Sequence, residues 1–459
     1  MTAMAYSLLY IDPGTGSMLF TVAIGLASAG IYALRSALVK LRFIASGGRA
    51  EKDAAAHEIA IFSDGKQYWN VFEPICDELE RRGTDALFLT ASADDPALNR
   101  TYEHVKCEFA GEGNKAFARM NMLSASVVLS TTPGLDVYQW KRSRDAKWYA
   151  HVLHAASDVT MYRMFGLDFY DAVLLSGRFQ EEQIRQLEAL RNLPAKETAL
   201  VGLTYMDALS KRLEEAAEGE TEQAERADKD ALEQPAGAAE RASDTETNQP
   251  AGDAADSPAD TPSAACVLVA PSWGASALFS LYGGAIIDGL LEAGYQVIVR
   301  PHPQSFKSEA ELMERLMAAY PESETLEWDR DVDNFDVLRR ADILISDFSG
   351  VIFDFALVFD KPVIYTEPAY DTAPYDACWL DEQPWTFSVL PRIGKQLSEG
   401  TATDAGKLQE LVEECLDDTT LQAGRDRARR ECWCNQGNAA EAVVDYLEAK
   451  VAKIAELAE

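Results

Sequence analysis

The stretch Ala341–Tyr365, ADILISDFSGVIFDFALVFDKPVIY, constrains the fold more than any other part of the chain. Ile343, Leu344 and Ile345 form a short apolar run, and Ser346–Gly350 a polar turn. A helix rich in apolar residues follows, then a second run, Val363, Ile364 and Tyr365, entered through Lys361-Pro362. Strand, turn, helix and strand make a βαβ unit, which demands a parallel sheet. Ligands of such sheets bind beyond the carboxyl end of a strand, where the amino end of the next helix offers unpaired N–H groups to an anion. Ser346, Asp347, Ser349 and Gly350 occupy that turn, and Asp354 follows about one turn into the helix, where it can hold a ribose or polyol hydroxyl. The bland alternative is that Ser349 caps the helix, Asp347 turns the loop and Asp354 is a solvated helix face.

The rest of the chain repeats this rhythm twice. EIAIFSDG reads as a strand and turn, YWNVFEPICDELERRG as an amphipathic helix ended by Gly83, and ALFLTAS as a second strand. Further strand candidates at Val105–Phe109, Ser126–Ser130, Tyr149–Leu153, Ala172–Leu175 and Thr198–Val201 complete an open α/β domain over residues 58–213. From Glu214 to Ala264 the composition turns to Glu, Asp, Ala and Pro, with too little apolar surface for a core. That segment is expected to be a disordered or partly helical linker. A second α/β domain, 265–459, opens with CVLVAPSW and a helix over Leu281–Ala293. Its next strand stops at Arg300-Pro301-His302-Pro303, where two prolines hold His302 in a stiff loop at the strand's carboxyl end. A helix over Ser308–Ala319 precedes the βαβ unit, and residues 407–457 are mostly helical by period.

The amino end carries an uncharged run, Ser17–Leu34, with Arg35, Lys40 and Arg42 behind it. No basic leader precedes it, so it reads as one membrane-spanning helix and not as a cleaved signal, a re-entrant or peripheral helix and a buried core helix being the alternatives. The positive-inside rule then places everything after Arg35 in the cytoplasm, with residues 1–57 as anchor and juxtamembrane segment.

A formal net charge of -33 repels nucleic acid, so an anionic substrate must be met by a local pocket of N–H groups, hydroxyls and a few cations. The seven cysteines show no zinc spacing beyond a lone CxC at Cys432 and Cys434, which fits a reducing compartment. Of the five histidines, His57 and His104 sit in ordinary contexts. His151 and His154, three apart at a strand end, point to opposite faces, which disfavours a shared metal. His154, entering the small-residue turn Ala155-Ala156-Ser157, has room for a substrate beside it, whereas His151 belongs inside the strand; both could equally be packed structural residues. Arg300 with His302 suits neutralisation of a leaving phosphate, although Arg300 could instead pair with a carboxylate across the sheet.

RPHP at Arg300–Pro303, SDFSGVIFDF at Ser346–Phe355 followed by KPVIY, APSW at Ala270–Trp273, and a histidine entering a small-residue turn at His154 together resemble the CDP-glycerol glycerophosphotransferases of teichoic acid synthesis. The resemblance implies a glycosyltransferase-B type fold of two Rossmann-like halves. It also implies transfer of a polyol phosphate from a CDP donor to a lipid-linked or polymer acceptor at the bacterial membrane, with release of CMP. By the same resemblance His154 is the base and His302 assists the phosphate or leaving group. Arg300, Ser346, Asp347, Ser349, Gly350 and Asp354 are the donor-side residues. No cofactor is required, a loosely held magnesium ion being left open. The chain departs from the family where HAASD replaces His-Gly-Thr-Pro with its lysine, where Gly274 stands for a common Arg, and where Ser349-Gly350 replaces paired serines. A nucleotide-sugar glycosyltransferase, a sugar-nucleotide epimerase and a non-catalytic anchored scaffold are the alternatives.

Overall fold

The computed structural model describes residues 56–232, 264–331, 333–366 and 371–457. The apolar run Ser17–Leu34 and most of the acidic linker lie outside the described residues; among those described, no helix is long and apolar enough to cross a membrane.

Two parallel sheets carry the fold. The first has seven strands: β1 (His57–Ser63), β2 (Ala86–Thr90), β3 (Val105–Phe109), β4 (Ala125–Ser130), β5 (Ala146–Val152), β6 (Ala172–Leu175) and β7 (Glu197–Leu200). Their order is β3-β2-β1-β4-β5-β6-β7. The second has β8 (Cys266–Val269), β9 (Gln296–Val299), β10 (Leu326–Trp328), β11 (Ile343–Ser346), β12 (Val363–Thr366) and β13 (Gly394–Leu397), ordered β10-β9-β8-β11-β12-β13. Every pairing is parallel. All carboxyl ends of a sheet therefore lie on one edge, and the strand order reverses between β1 and β4 and between β8 and β11. Those two reversals are where crevices open in sheets of this kind. The inner strands are largely apolar and buried on both faces, as helices packed on both sides require.

The anticipated strands are present, with β10 and β13 added at the two edges of the second sheet. Their sequences, LEW and GKQL, are too short and polar to signal strands. The helix expected over Leu281–Ala293 breaks into Leu278–Tyr282 and Ala285–Glu292. The break falls at Gly283, held at φ 57, and at Gly284, where the Tyr320 ring fills the space a Cβ would need. The helix after Ser349 is also altered: a single α turn, Val351–Phe353, widens into a π turn over Asp354–Val358. At its end Arg429 Nε donates to Leu357 O at 2.6 Å, and Asp360 adopts φ 55. Lys361 explains the KPVIY motif structurally. Its ammonium donates to the carbonyls of Leu338, Arg339 and Ala341 at 3.2, 2.6 and 2.5 Å, closing the carboxyl end of the helix Phe335–Arg340 where a cation is favoured.

The two α/β domains share one hydrophobic core, in which Phe62, Tyr149 and Leu175 of the first sit with Phe355, Trp385 and Cys432 of the second. Trp385 lies between Phe179, 5.0 Å away, and Phe353, 5.5 Å away, both nearly parallel to it. Asp158, which follows His154 in HAASD, is buried and caps the helix Trp385–Ser388 from across the junction. Its carboxylate accepts from Trp385 N and Thr386 N, both at 2.7 Å, and from Thr386 Oγ1 at 2.5 Å. The boundary drawn at residue 265 needs one correction at the far end. The last helix, Ala439–Glu456, inserts Val443, Val444 and Leu447 beside Ile59, Ile61 and Phe72 of the first domain. Trp148 Nε1 also donates to Tyr446 Oη at 3.1 Å. An amphipathic period shows that a helix has an apolar face, not which sheet covers it.

Tyr205 and Asp354 form another junction contact, Tyr205 Oη donating to Asp354 Oδ1 at 2.9 Å. Burial pushes the Asp354 carboxyl up to about 6, with the Tyr205 hydrogen bond pulling it partly back. An unfolded aspartate titrates at about 3.9, so the native chain holds this proton more tightly. The contribution to stability is therefore greatest below about pH 4, falls as pH rises to about 6, and stays reduced above; two units correspond to about 3 kcal/mol. Asp354→Asn should remove that decline, so denaturation midpoints of parent and variant should move apart in the variant's favour between pH 4 and 7. Parallel curves would show that Asp354 does not titrate there.

The acidic segment is not all linker, because the helix Thr204–Leu232 runs well past Glu214. Ala216 packs on the shared core, and Glu220 pairs with Arg339. Replacing residues 233–263 by a Gly/Ser linker should leave the thermal unfolding midpoint unchanged. Replacing 214–264 should lower it by a few degrees, since about 1 kcal/mol of packing and ion pairing is lost. Equal midpoints would mean that the extended helix contributes nothing.

Candidate active site

The first domain places His154 two residues beyond β5, facing the loop that follows β4. Its Nδ1 lies 2.9 Å from Thr131 Oγ1 and 3.4 Å from Tyr162 Oη, which leaves Nε2 without a protein partner among the described residues. The Tyr68 ring packs edge-on at 5.0 Å. His154 keeps some contact with solvent, yet protein surrounds it closely enough that burial pulls its imidazole down to about 4. A ring in that state is neutral throughout the physiological range, with a lone pair to offer.

Asp64 stands at the carboxyl end of β1, where the first sheet reverses. It is exposed, but the surrounding protein raises its carboxyl above the usual range, with the Thr132 side chain pulling back. Tyr68 is raised by burial and then by the charge of Asp64, and its ring packs on His154, so the three lie side by side. His151 lies inside β5 as expected: it is buried, its Nε2 is 3.0 Å from Tyr162 Oη, and burial lowers it well below the ordinary histidine value. Sequence reasoning missed Asp64, Tyr68, Thr131 and Tyr162. Asp64 was legible by the rule applied to Ser346, as the first polar residue after a buried strand; Tyr162 comes from an irregular loop and carried no such signal.

In the second domain His302 sits in the proline-bounded loop after β9. Gln304 N donates to its Nδ1 at 3.1 Å, so the neutral ring carries its proton on Nε2, the nitrogen left to donate. Burial lowers its pKa, while Asp347 and Glu309 pull the other way. Ser349 and Gly350 lie at the carboxyl end of β11, half-buried and exposed respectively, and no side-chain partner of Ser349 is found among the described residues.

Four donor-side residues serve the fold instead. Arg300 is paired with Asp329, at the end of β10, and donates to Asp331 O at 2.8 Å; the carboxylate partner is the observed one. Ser346 is buried and donates to Ala270 O at 2.6 Å. Asp347 is buried and its carboxylate is filled by backbone N–H groups: Ser272 at 2.9 and 3.1 Å, Leu278 at 3.0 Å and Phe348 at 2.7 Å. It therefore has no capacity for a ligand. Asp354 is committed to Tyr205. The physical reason is common to all four: a polar side chain drawn into the protein must be satisfied there, and neighbouring elements reach it before a ligand can.

Residues that follow His154 and Ser349 take part in the contacts between the two domains. Asp158, four residues after His154, caps a helix of the second domain, and Asp354, five residues after Ser349, meets Tyr205 of the first.

Comparison with known proteins agrees with this architecture. The wall teichoic acid polymerase TagF, in a structure soaked with CDPG, aligns over 92% of this chain and 98% of its own at a TM-score of 0.53 and 14% identity. The S. aureus MnaA–UDP structure aligns over 86% and 97% at 0.53 and 11% identity. UDP-GlcNAc 2-epimerase from Neisseria meningitidis, bound to UDP-GlcNAc, aligns over 86% and 100% at 0.51 and 10% identity. At these identities the likeness shows the fold: two parallel α/β domains of the glycosyltransferase-B kind. In sequence, 165 residues are 30% identical to the teichoic acid glycerol-phosphate primase of Bacillus spizizenii. They amount to 35% of this chain and 36% of the relative, so the chain spans about a third of the length of the curated relative it matches. Residues 284–449, which include His302, Ser349 and Gly350, match the family model described as CDP-Glycerol:Poly(glycerophosphate) glycerophosphotransferase.

Proposed function

We propose that the protein transfers glycerol phosphate from CDP-glycerol to a membrane-linked acceptor in cell-envelope polymer synthesis, releasing CMP. The observation that carries this reading is a pair of histidines at strand ends of the two domains, each with its Nε2 turned away from the contacts that hold its Nδ1. His154 is held neutral by burial in the first domain, and His302 presents an N–H on Nε2 in the second, within the family-matching span.

The acceptor hydroxyl gives its proton to His154 Nε2 as its oxygen attacks the glycerol-bearing phosphorus. The bond from that phosphorus to the bridging oxygen breaks, and the electron pair leaves with CMP. His302 Nε2–H, the Ser349 hydroxyl and the backbone at Gly350 donate to the phosphate oxygens on which charge collects. Arg300 acts indirectly, holding Asp329 and the loop after β10. The reaction as proposed needs no cofactor. The uncharged run Ser17–Leu34 with cations behind it supports an anchor in the cell membrane and a catalytic part on the cytoplasmic face.

Incubating the full chain in membranes with CDP-glycerol, other CDP-polyols and UDP-sugars, and following release of CMP or UDP, tests the donor. CMP from CDP-glycerol is expected; UDP released from a nucleotide sugar would replace this reading with a glycosyltransferase. His154→Ala should lower turnover about a hundredfold or more with little change in CDP-glycerol affinity, because proton transfer contributes factors of that size. His302→Ala should weaken the donor by about 1 to 3 kcal/mol, the range for a hydrogen bond to a charged phosphate. Full turnover in His154→Ala, with an unfolding transition like the parent's, would remove it as the base.

The pH profile gives an independent check. With His154 held down to about 4, its lone pair is available well below the ordinary histidine range, so the acid limb of kcat/KM should fall below pH 6. An acid limb near 6.5 would assign the base to a solvated histidine.

A further inference from the structure

Trp273 is 47% exposed at the carboxyl end of β8, although burying an indole is among the largest hydrophobic gains a chain can make. Its backbone is fixed on both sides. The Ser272 N–H is held by both carboxylate oxygens of Asp347, at 2.9 and 3.1 Å, and the Gly274 N–H by Glu309 Oε1 at 2.6 Å. Gly274 takes φ 101, a conformation that favours glycine, and its carbonyl accepts from Ala277 N at 3.0 Å. An exposed ring on a clamped loop is presented, not left over.

Its position gives it a purpose. β8 and β11 are the strands between which the second sheet reverses, so Trp273 stands on the crevice where such sheets take ligands. Its ring lies 6.5 Å from the His302 ring, tilted by 39°. His302 donates toward phosphate in the reading above, so Trp273 stands beside the place where the donor phosphate is held.

We infer that Trp273 is the platform on which the pyrimidine base of the nucleotide donor stacks, and that it sets affinity for the base while His302 and Ser349 hold the phosphates. This rests on the proposed donor reading and adds to it the residue that grips the nucleobase. A glycerol chain has no flat face to offer an indole. A pyrimidine has one, and stacking on an aromatic side chain contributes about 1 to 3 kcal/mol per base.

The test compares two probes that share ribose and phosphate and differ in the base. CMP and ribose 5-phosphate are titrated calorimetrically into the full chain, Trp273→Ala and Trp273→Phe. The Ala variant should lose about tenfold to a hundredfold in CMP affinity and nothing for ribose 5-phosphate, and the Phe variant should recover most of the loss. CMP affinity unchanged in Trp273→Ala overturns the platform, as does an equal loss for both probes, which would put the ring against the sugar or phosphate. A parent that binds neither probe overturns the donor reading itself. Trp273 is exposed, so its replacement leaves the core intact, and unfolding curves confirm this for each variant.

Discussion

The carboxylate of Asp347 is the point on which the second domain turns. It is shut away from water, and three backbone N–H groups from two different loops converge on it. Left unpaired, a buried carboxylate would cost several kcal/mol; filled in this way it becomes a staple between the loop after β8 and the loop after β11. Those loops border the reversal of the sheet. The staple therefore fixes the walls of the crevice, and with them the places of Trp273, Ser349 and Gly350.

A second set of contacts fixes how the domains meet. Asp158 caps a helix of the opposite domain, Trp385 is stacked between Phe179 and Phe353, and Tyr205 reaches Asp354. The last helix returns to the first sheet, so the chain crosses the junction a second time. One hydrophobic core runs through both domains as a result. The turn that His154 enters, HAASD, supplies the aspartate of this junction.

The motifs thus divide between chemistry and architecture in a way their spacing does not reveal. In SDFSGVIFDF the first serine, the first aspartate and the second aspartate are occupied by internal partners, and Ser349 and Gly350 remain at the surface. In RPHP the arginine is turned to Asp329 and the histidine is left with a donating Nε2. A motif in such a fold is a loop that must be built before it can bind. Its more buried polar residues do the building.

The sequence by itself determined the parallel α/β class, most of the strands and the positions of His154 and His302 at strand ends. Each of these rests on local information: short β-rich apolar runs bounded by turns, and prolines that stop a strand where it stands. It also determined that the stretch after Glu214 lacks the apolar surface for a core, although the helix beginning at Thr204 carries its order further than composition implied. Tertiary structure alone decided which polar residues are satisfied internally, because the partners of Asp347, Arg300 and Asp354 lie 75, 29 and 149 residues away along the chain. It alone decided that the final helix covers the first sheet, since an apolar face fits either. It alone joined Asp64, Tyr68 and Tyr162 to His154: a cleft is made where strand ends distant in sequence are brought side by side, and no local pattern records which ends those will be.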